Sequence, residues 1–168
     1  MNKIIAIVGM CGSGKSVASE YLENNLQYKK VYFGGVTMKK LQEEGLEVNP
    51  ENEKMMREKL RQDLGMGAYA KVLLSKIKEL SINNNVVLDG LYSWDELVIL
   101  NNEFKMTTIA VVADKKLRYE RLEKRVVRPF SKSDAIKRDV SEIENIAKAG
   151  PIAYADYYIF NNGTINDF

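Results

Sequence analysis

The stretch Gly9-Met10-Cys11-Gly12-Ser13-Gly14-Lys15-Ser16 constrains this chain more than any other. It fits the pattern G-x-x-x-x-G-K-[ST], in which glycines let the backbone fold tightly and turn successive N–H groups toward one anion. Lys15 supplies a compact positive charge for the β/γ-phosphates of a nucleotide, and Ser16 a hydroxyl ligand for Mg2+. The residues just before the motif, 3–8, are mostly apolar and β-branched, while Val17, Ala18, Tyr21 and Leu22 follow it at helical spacing. A strand, a tight loop and a helix whose N-terminus faces the loop therefore open the chain, and the helix dipole adds to the anion site.

Residues 86–88, 107–112 and 157–160 share the character of that first strand, and residues 30–33 form a weaker fifth run. Short, nearly continuous apolar runs suit strands buried on both faces of a parallel sheet. Charged, Leu/Met/Ala-rich segments lie between them, so strands and helices alternate and the class is α/β. Asn49-Pro50-Glu51 predicts an N-cap followed by proline at the first helical position. Ser93-Trp94-Asp95-Glu96 predicts a capping box. No strand-like run interrupts residues 50–82, which predicts two helices meeting near Gly65 and Gly67. Asp114 is placed to cap the helix after the fourth strand, and Arg128-Pro129 to end it, since the residue before proline disfavours α geometry.

At 168 residues, with 45% hydrophobic and 29% charged, the chain suits one folded domain and not a disordered or fibrous one. Twenty-five Lys+Arg against 23 Asp+Glu leave a charge of +2, which gives no global reason to bind duplex nucleic acid or an anionic membrane. The absence of histidine removes Ser-His-Asp and Cys-His catalysis and His-based metal sites. Cys11 alone makes no internal disulfide and no zinc cluster. The longest apolar run is far short of the roughly 20 residues that span a bilayer. A cytoplasmic protein, a monomer or weak homodimer with small nucleotides as partners, is the expectation.

Asp89 lies at the end of the third strand, where open α/β sheets bind ligands and where an Asp holds Mg2+ beside such a loop. An ordinary Asp-Gly turn is the alternative, and the neighbouring loop favours the metal. Arg118, Arg121, Arg125 and Arg128 recur at spacings that place them on one helical face, with Glu120 and Glu123 opposite. A stripe without counter-charges suits an external anion. Beyond Pro129 a short polar loop leads to a second basic helix carrying Lys137 and Arg138. Such a pair fits a lid closing over a transferring phosphoryl group, the alternative being a solvated basic face. Arg125 and Arg138 are the preferred charge stabilisers, followed by Arg121 and Arg128.

Together with Glu44-Gly45-Leu46, Pro50-Glu51-Asn52, Lys59-Leu60-Arg61, residues 89–94 and 118–125, Arg138-Asp139, Gly150-Pro151-Ile152-Ala153 and Ala155-Asp156-Tyr157, the glycine loop carries a resemblance. The sequence resembles the nucleoside monophosphate kinase group of P-loop proteins, nearest the adenylate-kinase-related proteins and dephospho-coenzyme A kinases, over nearly its whole length. The resemblance implies a five-stranded parallel sheet ordered 2-3-1-4-5 and flanked by helices. It also implies one P-loop kinase domain over residues 1–168, with a helical acceptor-binding region at 34–80 and a short lid at 126–138. ATP and Mg2+ are the implied donor, held by Gly9, Met10, Cys11, Gly12, Ser13, Gly14, Lys15 and Ser16, with Asn161-Asn162-Gly163-Thr164, and Asn162 and Gly163 above all, near the adenine.

Two departures bear on the acceptor. Relatives carry an acid and then an arginine after the second strand, where this chain has Phe33-Gly34-Gly35-Val36-Thr37-Met38-Lys39. Adenylate kinases carry an arginine soon after the third-strand glycine, where this chain has Gly90-Leu91-Tyr92-Ser93. Lys39, Lys40, Arg57 and Arg61 are the candidate replacements, Arg61 first, beside Gly90. The expected reaction moves the γ-phosphoryl group of ATP to a nucleoside monophosphate of AMP or CMP type. Transfer to a hydroxyl, as in dephospho-coenzyme A kinases, and a slow nucleotide-dependent switch are the other readings.

Overall fold

The first β-branched run forms β1 (Ile4–Val8), and the glycine loop carries it into α1 (Lys15–Leu26). The computed structural model describes residues 2–126 and 129–168. The chain continues through β2 (Lys29–Tyr32), α2 (Gly34–Glu43), α3 (Pro50–Leu64), α4 (Ala68–Asn83) and β3 (Val86–Asp89). Then come α5 (Trp94–Glu103), β4 (Thr107–Val112), α6 (Lys115–Glu123), α7 (Lys132–Ile146), α8 (Ala149–Ala153) and β5 (Tyr157–Phe160). A 3-10 turn at Ile165–Asp167 follows.

All strand pairs are parallel, in the order β2-β3-β1-β4-β5 that the resemblance implied. Central β1 sets Ile7 opposite Asp89 on one side and Ile109 on the other. That register brings the glycine loop and Asp89 together at the carboxyl end of the sheet. Alternation sends Ile4, Ala6 and Val8 into the larger core, with Leu88 of β3 and Leu41, Met56, Tyr69, Ile77 and Leu97 from α2 through α5. Ile7, Val87 and Val111 face the opposite way, onto Ala18 and Leu22 of α1.

The helix signals in the middle of the chain read correctly. Asn49 accepts a hydrogen bond from the Asn52 N–H at 2.9 Å, and Ser93 and Glu96 form the reciprocal capping box. α3 stops at Gly65, whose φ of +81° suits glycine. Three expectations need correction. α6 ends at Glu123, well before Pro129, because Phe130 folds back and donates its N–H to the Leu122 carbonyl at 3.1 Å. Its ring then joins Tyr119, Leu122 and Ala135 in a small apolar cluster. Arg125 thus lies beyond the helix, and the arginines do not share one helical face; Arg128 lies outside the described residues. Asp114 occupies the N-cap position of α6 without a side-chain capping bond. β5 is exposed along its whole length, since it is the sheet's edge and pairs with β4 alone. Among the described residues no helix is long and apolar enough to cross a membrane.

Candidate phosphate-binding site

Between β1 and α1 the loop turns through three positive-φ glycines, Gly9, Gly12 and Gly14. All three are fixed by close approach as well as by conformation, Gly12 by the Arg118 carbonyl. A Cβ on Gly9 would collide with the Val111 carbonyl, and one on Gly14 with the Asn161 side-chain amide. Gly14 also serves as the N-cap of α1 with no side chain to cap it; the Val17 N–H turns back to the Gly14 carbonyl at 3.0 Å, and the positive end of the helix faces the loop. Met10 and Cys11 supply backbone to the same turn: the Met10 carbonyl accepts from the Ser13 N–H at 3.2 Å and from Lys15 Nζ at 2.9 Å. Burial first, and then the positive charge of Lys148, lower the Lys15 ammonium to about 7, against Cys11, Glu142 and Asp89, which act to raise it.

Asp89 is buried, and its Oδ2 accepts from the Ser19 hydroxyl at 2.9 Å. Ser19 stands one helical turn after Ser16, so α1 carries both the loop hydroxyl and the clamp on Asp89. The donor set of Ser16 and one carboxylate fits Mg2+, which keeps several waters and takes one or two protein carboxylates beside phosphate oxygens. It does not fit a caged cation: among the described residues no group of three or more acidic, Cys or His side chains is placed to hold a metal.

The arginines of α6 are more engaged than their spacing suggests. Arg118 is buried and grips Asp139 of α7 with both terminal nitrogens, at 3.2 and 2.6 Å, while donating to the Cys11 carbonyl at 2.8 Å. Tyr119 adds its hydroxyl to the same carboxylate at 3.1 Å. Arg121 donates to the Asn161 carbonyl at 2.9 Å and to Asn161 Oδ1 and the Gly163 carbonyl at 3.3 Å each. The stripe read from sequence as lacking counter-charges is therefore compensated at Arg118 by Asp139, and Arg121 ties down the segment after β5. Arg125 stands exposed. Arg138 donates from Nε to Glu142 at 3.0 Å and lies over the Phe130 ring, 5.4 Å from its centroid.

After β5, Asn162 accepts from the Asp114 N–H at 2.8 Å. On the acceptor side, Lys39 and Lys40 both pair with Glu43, at 3.8 and 2.7 Å, and Arg57 lies 3.5 Å from Glu53. Arg61 is different. Its guanidinium lies over the Tyr69 ring at 5.4 Å, and its buried Nε has no hydrogen-bond partner among the described residues. The Tyr69 hydroxyl shares a 2.7 Å hydrogen bond with Thr37. Gly90, at φ +88°, leaves the end of β3 beside the Tyr92 ring.

A family model described as an AAA domain matches residues 5–144. Over 166 residues the chain is 33% identical to a UPF0200 protein of Aeropyrum pernix, spanning 98% of this chain and 87% of that relative. The chain is an AAA-domain P-loop protein of the UPF0200 family. Its fold is that of the P-loop kinases. TT1252 from Thermus thermophilus matches it with a TM-score of 0.68 at 16% identity, over 99% of this chain and 92% of that one. A shikimate kinase from Acinetobacter baumannii, solved with shikimate, matches with a TM-score of 0.63 at 16% identity, over 98% and 86%.

Four polar residues of this UPF0200 chain stand in the site without having been singled out from sequence as site residues. Asn161, buried next to Asn162, bonds the Ser13 carbonyl through Nδ2 at 2.9 Å and so joins the strand end to the loop. Lys148 is only 2% exposed, pairs with Glu142, and lies over the Tyr92 ring, 4.7 Å from its centroid. Burial alone would raise the Glu142 carboxyl, yet Lys148 and Arg138 hold it down at about 2. Glu96 is fully buried, which pushes its carboxyl up to about 7 despite hydrogen bonds from the Tyr92 and Ser93 N–H groups. Two of the four carried a sequence signal, Asn161 as part of the segment placed near the adenine and Glu96 for its cap, and neither signal spoke for the contacts seen here.

Proposed function

We propose that the protein transfers the γ-phosphoryl group of Mg-ATP to a nucleoside monophosphate of AMP or CMP type. The reading rests on one contrast in the acceptor region. Where the chain leaves β2, Gly34 and Gly35 offer no carboxylate, while Arg61 offers a guanidinium with an unpartnered, buried Nε. A hydroxyl acceptor needs its proton taken by a positioned base, whereas a phosphate oxygen is already ionised and needs a cation to hold it.

In this reading the loop backbone from Gly9 to Ser16 holds the triphosphate and Lys15 meets its β/γ-oxygens. Ser16 and Asp89 would hold Mg2+, which would supply charge neutralisation for the phosphates. Asn162 and Gly163 border the adenine. Arg125 and Arg138, then Arg121 and Arg128, belong to the lid over residues 126–138 and its flanks, and stabilise charge on the transferring group. Arg61 grips the acceptor phosphate in the helical region 34–80, with Arg57, Lys39 and Gly90 around it.

The test is ADP release from Mg-ATP with AMP, CMP, UMP, GMP, dephospho-coenzyme A or no acceptor. Release that depends on one monophosphate, lost in Lys15→Ala and showing a raised acceptor KM in Arg61→Ala, is the expected result. Dependence on dephospho-coenzyme A, or release indifferent to every acceptor, would replace the reading with hydroxyl transfer or a nucleotide switch.

A further inference from the structure

Lys148 is the least exposed ammonium-bearing side chain near the glycine loop, and nothing in the loop motif requires it. Its place is built by the backbone. α7 ends in a left-handed residue, Ala147 at φ +49°, and the Lys148 N–H turns back to the Glu142 carbonyl at 3.1 Å. The side chain then lies between Glu142 and the face of the Tyr92 ring, close enough to Lys15 for its charge to act there.

Charge counting makes this cluster unusual. Lys15, Arg138 and Lys148 are three cations gathered about one buried carboxylate, Glu142, whose two oxygens are taken by Arg138 and Lys148. Asp89, the other nearby acid, accepts from the uncharged Ser19 hydroxyl, so three basic side chains stand against two acidic ones. An ammonium has three donors, and among the described residues Lys148 uses one of them, on Glu142. Lys148 is the buried member of this set, and a buried cation whose neighbours are in excess of their counter-ions is costly unless an anion completes the set.

The geometry points to Lys148 as a further phosphate-contacting residue: with Lys15 and Arg138 it binds the γ-phosphoryl oxygens of the nucleotide, and Glu142 is the stand-in anion that holds these cations before the nucleotide arrives. This inference rests on the nucleotide-binding reading of the loop. It also explains why a lysine so deeply buried, in the turn after α7, is paired to a carboxylate of the helix that carries Arg138.

The experiment compares affinities for Mg-ATP and Mg-ADP by calorimetry in wild type, Lys148→Met, Lys148→Arg and Glu142→Gln. Losing a charge-assisted hydrogen bond to the γ-phosphate should weaken Mg-ATP about tenfold in Lys148→Met while Mg-ADP stays within about twofold, and Lys148→Arg should recover most of the loss. Glu142→Gln should bind Mg-ATP several-fold more tightly relative to Mg-ADP. A purely structural Lys148 would weaken both nucleotides alike or neither, and either result overturns the inference. If Lys148→Met does not fold, an unchanged ATP/ADP ratio in Glu142→Gln overturns it instead. Failure of wild type to bind either nucleotide is the distinct outcome that removes the loop reading and this inference with it.

Discussion

The two halves of the cleft treat charge in opposite ways. On the loop side, Arg118 has Asp139, Arg121 has the carbonyls after β5, and Arg138 and Lys148 share Glu142. On the acceptor side, Arg61 Nε and Glu96 Oε1 are both buried with no hydrogen-bond partner among the described residues. Charged side chains paired in this way are held at defined positions, which favours electrostatic stabilisation with little reorganisation, and on the loop side the orphan buried atom is the uncharged Ser13 Oγ. Polar atoms buried without protein partners are what a recognition surface looks like when specificity depends on a ligand to satisfy them. Under the proposed function, this contrast suits a loop side that meets one invariant group and an acceptor side that meets a particular one.

The comparison breaks most visibly at Arg118. If the loop side owes its rigidity to the bonded network, Arg118→Met leaves Asp139 buried and unpaired, and should cost about 3–5 kcal/mol of unfolding free energy in urea titrations. A loss below about 1 kcal/mol would mean that the network adds little, and that α6 and α7 are held by Tyr119, Leu122 and Ala135 alone. Arg125 is the counter-case, exposed on the same segment. Arg125→Ala should leave stability within about 0.5 kcal/mol while lowering kcat roughly a hundredfold with little change in ATP affinity. An unchanged kcat removes it from the lid.

How much of this was legible in sequence follows from how local each feature is. The glycine loop, Asp89 at a strand end, the capping box at Ser93 and the helix pair meeting at Gly65 are written in contiguous residues, and they read correctly as structure. The arginine spacing was equally regular, but regular spacing measures a helical face only while the helix lasts, and Phe130 ends α6 early by closing back on Leu122. Arg118 meets Asp139 across 21 residues and Arg121 meets Asn161 across 40, distances at which no periodicity speaks. Glu142 and Lys148 are six residues apart, outside the i,i+3 and i,i+4 pairs of a helix, and only the left-handed turn at Ala147 brings them together. β5 is apolar like a central strand, and edge position is a property of sheet order that its four residues do not encode.

On the acceptor side, Glu96 gives the pH test. Its folded carboxyl titrates near 7, above the ordinary 4.5, because burial disfavours the charged form. Between pH 4.5 and 7 the folded chain therefore holds a proton that the unfolded chain has released. Stability from this group is greatest at the acid end of that window and falls as pH rises through it. Glu96→Gln keeps an oxygen for the Tyr92 and Ser93 N–H groups without the charge. It should raise stability at pH 8 by about 1–3 kcal/mol and flatten the pH profile between 4.5 and 7 relative to wild type. An equal or lower stability at pH 8 would show that Arg61 compensates the Glu96 charge after all, and the two halves would then differ less than their bonding suggests.

The smallest effect tests the loop side at the strained joint beside Lys148. Ala147 is an exposed, non-glycine residue at φ +49° and ψ +41°, a conformation that costs a side chain about 1–2 kcal/mol. Glycine adopts it freely, though it also gains freedom in the unfolded chain, so Ala147→Gly should stabilise by about 0.5–1 kcal/mol. The measurement that sharpens the comparison is the ATP/ADP affinity ratio of the same variant. If Glu142 and Tyr92 fix Lys148 as the network argument requires, relieving the turn should leave that ratio unchanged. A shift in the ratio would mean that backbone strain at Ala147, and not the bonded network, sets where the Lys148 ammonium stands.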